Sequence, residues 1–216
     1  MILHWSPKSP FVRKVMIGAH ELGLRGRIEC VRSIALTTQP NTRLMGHNPL
    51  SKIPTLLLDD GTVLFDSRVI LEYFDCLVGG GQIIPIGGRQ RWLSLRRQAL
   101  ADGLLDVSLL LRQERERGEQ QRSSDHWAAF ELKIEASLTR FEEEVAALAA
   151  TRFDVAHIAL GCALGYLDFR FANLAWRRGR PALTAWFETF CERPSARQTA
   201  IVDDLKLGAT PASRGQ

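Results

Sequence analysis

The sequence lacks the features that would place it in a membrane or outside the cell. It contains no run of about 18 consecutive apolar residues, which is what a membrane-spanning helix needs. The first residues, MILHWSPKSPF, have neither the basic start nor the long apolar stretch of a signal peptide. We therefore expect a protein that works in the cytoplasm without a membrane partner.

Cysteine is scarce, and its spacing excludes the common metal and redox motifs. The four cysteines are Cys30, Cys76, Cys162 and Cys191, and no two of them form a C-x-x-C pair. Most lie within apolar patterns, which is typical of packed, reduced thiols in a reducing compartment. The sequence therefore predicts no metal site.

The sequence also lacks a large excess of either sign of charge. The 28 basic and 24 acidic residues leave a net charge of only +4, and both signs alternate in stretches such as RRQALADGLLDVSLLLRQERER. Such mixing indicates a solvated helix face, so we expect no nucleic-acid partner. A hydrophobic content of 45% is ordinary for a soluble globular protein with a real core.

The first third of the chain alternates strand and helix. The apolar run Ile2–Trp5 predicts a strand, and the Ser-Pro pairs that follow it are typical of a helix start. Apolar residues then recur at helical spacing until Gly23, and Ile28–Val31 predicts a second strand. Because a helix connects these two short strands, we expect them to pair in parallel. Residues 37–48 predict a loop with at most a short helix.

The next block, NPLSKIPTLLLDDGTVLFDSRVILEYF at residues 48–74, predicts a hairpin followed by a helix. Thr55–Leu58 is an apolar run, Asp60-Gly61 is a two-residue hairpin signal, and Val63–Phe65 is the returning strand. Asp66-Ser67 then provides the cap of an amphipathic helix. The element order is βαβ followed by ββα.

The remainder is helical. Residues 79–89 are rich in glycine and read as a linker between domains. Four helices are expected after it, over roughly Gln90–Arg117, roughly Asp125–Ala149, from near Thr151 and from near Pro181. The last residues, GATPASRGQ, read as a loose tail.

The third of these helices carries its own folding signals. Thr151 predicts the N-cap, with Asp154 placed to complete a capping box. Gly161 and Gly165 each cost about 1 kcal/mol relative to alanine inside a helix, which close approach of a neighbouring helix would explain.

Three stretches together resemble the soluble, cytosolic-type glutathione transferases, and those of bacteria in particular. They are SPKSPFVRKV, the NPLSKIP block with its hairpin and Asp-Ser helix start, and TRFDVAHIALGCALGYLDFR. The resemblance extends from about residue 1 to 205. It implies an α/β plus all-α fold, with a thioredoxin-like glutathione-binding domain at 1–78, a linker at 79–89 and an all-helical domain at 90–216.

The resemblance also implies which residues bind glutathione. Ile53-Pro54 would form a cis peptide bond that presents the Ile53 backbone to the peptide backbone of glutathione. Ser67, with the free N–H groups at its helix start, would bind the γ-glutamyl carboxylate, and Asp66 would bind the ammonium. Lys52 would pair with the glycyl carboxylate, although it also reads as an ordinary surface lysine.

The same resemblance makes one serine the candidate catalytic residue. Ser9, followed by Pro10-Phe11, matches the context in which the serine-type members donate a hydrogen bond to the glutathione sulfur, and Ser6 stays as the alternative. No tyrosine or cysteine lies near the N-terminus, which disfavours the tyrosine-type mechanism and disulfide exchange. Arg13 would add positive potential or lie on the surface.

The activity implied is conjugation of glutathione, as co-substrate, to a small hydrophobic electrophile. The second substrate would lie between Ser9 and a helical face near Leu104–Arg112, although the apolar residues of that stretch fit a core role equally well. No permanently bound cofactor or metal is implied, and a homodimer is expected. Two alternatives stay open: a non-catalytic protein of the same fold that binds glutathione, a hydrophobic ligand or a partner, and isomerase, dehalogenase or peroxidase chemistry by the same thiolate.

Overall fold

The structure, a computed structural model, describes residues 1–204, and the tail expected at GATPASRGQ lies outside them. No helix in the described part is both long and apolar enough to cross a membrane. In chain order the strands and helices are β1 (Ile2–Trp5), α1 (Pro10–Glu21), β2 (Glu29–Arg32), α2 (Thr42–Met45), β3 (Thr55–Leu57), β4 (Val63–Leu64), α3 (Ser67–Leu77), α4 (Gly88–Glu116), α5 (Ser124–Ala149), α6 (Val155–Arg170), α7 (Pro181–Glu192) and α8 (Pro194–Gln198).

The four strands form one mixed sheet in the order β2-β1-β3-β4. The pair β1 and β2 is parallel, and β3 is antiparallel to both β1 and β4, which confirms the βαβ-ββα order. Strand β2 begins one residue later than predicted, because the Ile28 N–H bonds back to the Arg25 carbonyl in a preceding turn. The hairpin closes on a Leu58–Thr62 bond, so its loop has three residues and not two, with Gly61 at a φ of 87°.

Helix α1 is buried on two faces and joins two cores. Val15 and its neighbours at helical spacing pack with Leu56 of β3 and with Ile70 and Phe74 of α3. Ile17 instead packs into the large core of the C-terminal helices, together with Leu71 of α3. Helix α1 therefore lies between the sheet and the helical half of the molecule and packs against both.

The helix starts follow the sequence in two cases and correct it in one. Ser9 caps α1 and Asp66 caps α3, as predicted. Thr151 is not a cap, because its hydroxyl bonds the Leu148 carbonyl at the end of α5. Asp154 is the true N-cap of α6, and the capping box is closed by the ring of His157.

The glycine-rich connection is fastened to the sheet domain. The buried carboxylate of Asp75, near the end of α3, accepts hydrogen bonds from the N–H groups of Gly81, Gln82 and Ile83 at 2.7, 2.9 and 2.8 Å. Ile83 then inserts its side chain into the core of the C-terminal helices. One carboxylate thus holds three successive N–H groups at the point where the chain enters the second half.

Close approach explains the glycines of α6, as predicted. A Cβ on Gly161 would lie 2.1 Å from Cζ of Phe190, on α7. A Cβ on Gly165 would lie 2.5 Å from Nη1 of Arg13. Both distances are far shorter than any real contact, so the packing of α6 against its neighbours depends on these two residues lacking side chains.

We expect Gly161→Ala to lower the free energy of unfolding by about 1–3 kcal/mol, because the added methyl overpacks the Phe190 site. Gly103→Ala is the matched control: it also lies inside a helix, but a Cβ there would meet nothing within 4 Å. That variant should raise the free energy of unfolding by up to about 1 kcal/mol through helix propensity alone. Urea denaturation of both variants measures this, and the same sign of change in the two would contradict the packing explanation.

His4 of β1 and His47, in the loop that follows α2, form a pair. His4 of β1 is 5% exposed, with its Nδ1 at 2.8 Å from Ser33 Oγ and its Nε2 at 2.8 Å from His47 Nδ1. Burial lowers the pKa of His4 from 6.5, and the neighbouring charges of His47 and Arg43 lower it further. His4 is therefore neutral in the folded protein under conditions in which the unfolded chain begins to protonate it.

The folded state then binds fewer protons than the unfolded state just below pH 6.5, so stability falls as the pH falls through that window. We expect the slope of unfolding free energy against pH in His4→Asn to be shallower by up to one proton, about 1.4 kcal/mol per pH unit. Urea titrations of both proteins between pH 5 and pH 8 test this. Parallel curves would show that His4 does not titrate on unfolding.

Candidate functional site

The register of the sheet brings three loops to one end of it. His4 pairs with Thr55 and Leu56 pairs with Leu64, so the carboxyl end of β1, the start of β3 and the end of β4 lie side by side. The chain segments at these three points contain Ser9, Ile53-Pro54 and Asp66-Ser67. Strand pairing thus brings together residues that are spread between positions 9 and 67 of the sequence.

Ser9 is half-buried at the start of α1. Its Oγ accepts a hydrogen bond from the Val12 N–H at 3.3 Å, so the hydroxyl proton of Ser9 is left to donate. Ser6 is only 7% exposed, and its Oγ accepts a long bond of 3.4 Å from the Lys8 N–H. Of the two serines, Ser9 is the more accessible and stands at the positive end of a 12-residue helix.

The Ile53-Pro54 peptide bond is cis, as the family resemblance implies. Ile53 lies outside β3, and its backbone takes no part in the ladder with β1, whose register begins at the His4–Thr55 pair. Asn48, 1% exposed, holds the loop before it by donating to the Lys52 carbonyl at 3.2 Å and to Thr55 Oγ1 at 3.0 Å. The buried Asn48 side chain therefore fixes the conformation of the loop that contains Lys52 and Ile53.

The start of α3 places Asp66 and Ser67 differently. Asp66 is exposed, and its carboxylate accepts from the Arg68 backbone N–H at 2.9 Å and from the Arg68 guanidinium at 3.0 Å. Burial alone would raise the pKa of Asp66, but these hydrogen bonds and the charge of Arg68 hold it below its usual value. Ser67 is 2% exposed, and Lys14 Nζ donates to its Oγ at 3.1 Å.

Lys52 is exposed beside the Ile53-Pro54 bond. Its positive charge interacts electrostatically with Asp106 of α4, on the helical side of the site. Burial raises the pKa of Asp106 and the nearby Asp102 raises it further, whereas Lys52 and Arg68 oppose that rise. The sheet domain thus contributes mainly cations to this cleft and α4 contributes carboxylates.

Sequence reasoning missed the buried charges of the site. Lys14 has no exposed side-chain area and forms an ion pair with Asp102 of α4. Burial raises the pKa of Asp102, and the Lys14 ammonium opposes that rise. The one signal available was the position of Lys14 between Phe11 and Ile17, at spacings of three that put all three on one face of α1.

Two questions about the surroundings of the site were open: whether the apolar residues of Leu104–Arg112 line a pocket or the core, and whether Arg13 serves the site or lies on the surface. In the stretch Leu104–Arg112, Leu104, Leu105 and Leu111 are core residues and cannot line a substrate pocket, whereas Leu110 is 45% exposed. The helix is buried against α6 along one face, which apolar content alone does not reveal. Arg13 is neither on the surface nor in the site: it is 8% exposed, and its Nη2 donates to the Ala196 carbonyl at 3.3 Å.

The last described residues lie against the loop that carries Ser9. The Val202 N–H bonds the Pro7 carbonyl at 3.4 Å, and Lys8 Nζ lies 3.6 Å from Asp203 and 3.4 Å from Asp204. Arg32, at the end of β2, pairs with Asp204 at 2.7 Å. This segment covers the same end of the sheet and neutralises two of its cations.

Comparisons with known proteins agree with this arrangement. Residues 8–77 match the family described as glutathione S-transferase, N-terminal domain, and residues 124–189 match glutathione S-transferase, C-terminal domain. The curated "Uncharacterized GST-like protein YibF" of Escherichia coli (strain K12) is 31% identical over 201 residues, which are 92% of this chain and 98% of that protein.

Solved structures show the same fold. A glutathione transferase family member from Pseudomonas fluorescens Pf-5, with bound glutathione, is 42% identical with a TM-score of 0.90 over 93% of this chain and 98% of the other. A second Pf-5 structure, with bound S-(propanoic acid)-glutathione, is 41% identical with a TM-score of 0.86 over 94% of this chain and 100% of the other. The sheet domain is thioredoxin-like, the second half is helical, and the chain belongs to the glutathione S-transferase family.

Proposed function

We propose that this protein is a glutathione transferase that binds glutathione at the end of its sheet and activates the thiolate for attack on an apolar electrophile. The observation that carries the proposal is the convergence of Ser9, Ile53-Pro54 and Asp66-Ser67, which the strand register enforces. The bound ligands of the Pf-5 relative support it, since in one of them the glutathione sulfur carries a carbon substituent.

Ser9 supplies the activation in this proposal. Only the thiolate is a good nucleophile, and a free thiol with a pKa of about 8.5 is ionised to a few per cent at neutral pH. Lowering that pKa by one to two units needs about 1.4–2.7 kcal/mol of differential stabilisation. A hydroxyl that donates to sulfur at a helix N-terminus is of the right kind, and Ser9 has both properties. Serine acts as donor and keeps its own proton.

The remaining contacts hold the peptide. The Ile53 backbone pairs with the backbone of glutathione in the manner of an added strand. Ser67 and the free N–H groups at the start of α3 receive the γ-glutamyl carboxylate, and Asp66 receives the ammonium by exchanging part of its pairing with Arg68. Lys52, exposed beside Ile53, pairs with the glycyl carboxylate.

The second substrate enters from the side of α4. In this proposal residues 1–78 bind glutathione, 79–89 connect, and 90–216 provide the hydrophobic side, with the exposed Leu110 as a candidate contact. Holding both reactants together supplies the rest of the acceleration. We expect the enzyme to act as a homodimer in the cytoplasm, without a permanently bound cofactor.

The first test is the ionisation of bound glutathione. Calorimetry measures binding, and ultraviolet absorbance of the thiolate against pH then gives the pKa of the bound thiol. We expect Ser9→Ala to raise that pKa by about one to two units, because the donor to sulfur is lost, and to change the affinity little. Ser6→Ala is the matched control and should leave the thiol pKa unchanged.

Absence of glutathione binding to the wild type would refute the glutathione site altogether. A thiol pKa that responds to Ser6→Ala and not to Ser9→Ala would transfer the donor role to Ser6.

The second test separates an enzyme from a binding protein. We expect the wild type to conjugate glutathione to members of a panel of aryl halides and enones, and Ser9→Ala to lose about 10- to 100-fold in rate at neutral pH with its thiolate fraction. The rate difference should shrink as the pH rises above the thiol pKa of the variant. Binding without turnover on aryl halides, enones and hydroperoxides would leave the non-catalytic alternative as the function.

A further inference from the structure

Lys14 is a buried cation with no assigned part in glutathione binding. Its ammonium has 0% exposed side-chain area and contacts residues of two other helices. Nζ donates to Ser67 Oγ at the start of α3 at 3.1 Å, and it forms the ion pair with Asp102 of α4. The centroid of the Phe11 ring lies 5.6 Å from Nζ.

This contact fixes the role of the Ser67 hydroxyl. A lysine ammonium has three donors and no acceptor, so in the bond between Lys14 and Ser67 the serine oxygen must accept. The Ser67 proton is then free to donate, but no described residue accepts a hydrogen bond from it. Buried polar groups are nearly always paired, so the proton of this 2% exposed hydroxyl is available to an acceptor from outside the chain.

The acceptor that fits is an anion. Ser67 is the first residue of the 11-residue helix α3, where unpaired backbone N–H groups also point outward. A hydroxyl that accepts from a cation is a stronger donor, because hydrogen bonds in a chain polarise one another. A carboxylate at this position would receive the Ser67 proton and would also lie one hydrogen bond away from the Lys14 charge.

The surrounding charges keep the ammonium in place. Asp102 neutralises it locally, and such a pair holds together because removing either partner leaves the other buried and uncompensated. Arg68, Asp66 and Asp106 also face this cluster. Since Lys14 lies on α1 and Asp102 on α4, the helical half of the molecule fixes a hydroxyl of the sheet domain.

We propose that Lys14 is a positioning residue that, held by Asp102, orients the Ser67 hydroxyl to donate to the α-carboxylate at the γ-glutamyl end of glutathione. The proposal rests on the proposed function, because it concerns the same ligand. Lys14 acts through Ser67 and does not itself touch the ligand.

The test compares ligands that differ by one group. Calorimetry is carried out with glutathione, with 4-aminobutanoyl-cysteinylglycine, which lacks only the α-carboxylate, and with glutaryl-cysteinylglycine, which lacks only the ammonium. We expect Lys14→Met to lower the affinity for glutathione and for the glutaryl peptide by about tenfold or more, which is the effect of losing one hydrogen bond to a charged group. Affinity for the decarboxylated peptide should not change. Lys133→Met, an exposed lysine on α5, is the matched control and should change none of the three.

Two further variants exclude a merely structural effect. The single variant Lys14→Met leaves the charge of Asp102 buried without a partner, which can prevent folding. The double variant Lys14→Met/Asp102→Asn removes both charges and provides a folded protein for the same measurement. It should show the same selective loss. In a Ser67→Ala background, Lys14→Met should cause no further loss of glutathione affinity, since the two residues act in series.

An equal loss of affinity for all three peptides, or no loss of affinity in any variant, would overturn the role of Lys14. Binding of glutathione to the wild type would in that case still support the proposed function. Failure of the wild type to bind glutathione would instead refute the proposed function and this inference with it.

Discussion

Antiparallel pairing of β3 with both β1 and β4 is the constraint on which the rest of the site depends. The pairs His4–Thr55 and Leu56–Leu64 turn the exit of β1, the entry of β3 and the exit of β4 toward the same end of the sheet. A slip of one residue in this register would turn the buried side chain of Leu56 to the other face, so burial fixes the alignment. The position of the candidate ligand site is therefore a by-product of packing the sheet core.

Helix α1 converts this local convergence into a contact between the two halves of the molecule. One face packs on the sheet and the other packs on α6. Gly165 of α6 has no side chain and so leaves room for Arg13. Lys14 lies on the second face and reaches both the start of α3 and the middle of α4. A helix that only connected two parallel strands would need one apolar face; this one has two because it is shared.

The sequence was sufficient where local chemistry decides structure. The bounds of β1, the caps Ser9 and Asp66 and the packing role of Gly161 all follow from residue types and spacing. The cis bond before Pro54 came from the family resemblance, and no periodicity would have given it.

The failures have physical reasons as well. Thr151 and Asp154 are both good capping residues three positions apart, and the choice between them was made by the end of α5, which took up the threonine hydroxyl. The leucines near residue 105 could not be divided between core and cleft, because the burial of α4 depends on its partner α6. The contact of Lys14 with Asp102 spans 88 positions, so only the tertiary fold creates it.

The contact between Lys14 and Asp102 also limits how far the molecule can be divided. Severing the chain in the glycine-rich connection would leave the sheet half with Ile17 and Leu71 facing water, and with an ammonium that had lost its carboxylate. The half that contains nearly every proposed ligand contact would then lack the support that orders one of them. Under the proposed function, the ligand contacts within residues 1–78 therefore depend on packing against the helices that follow.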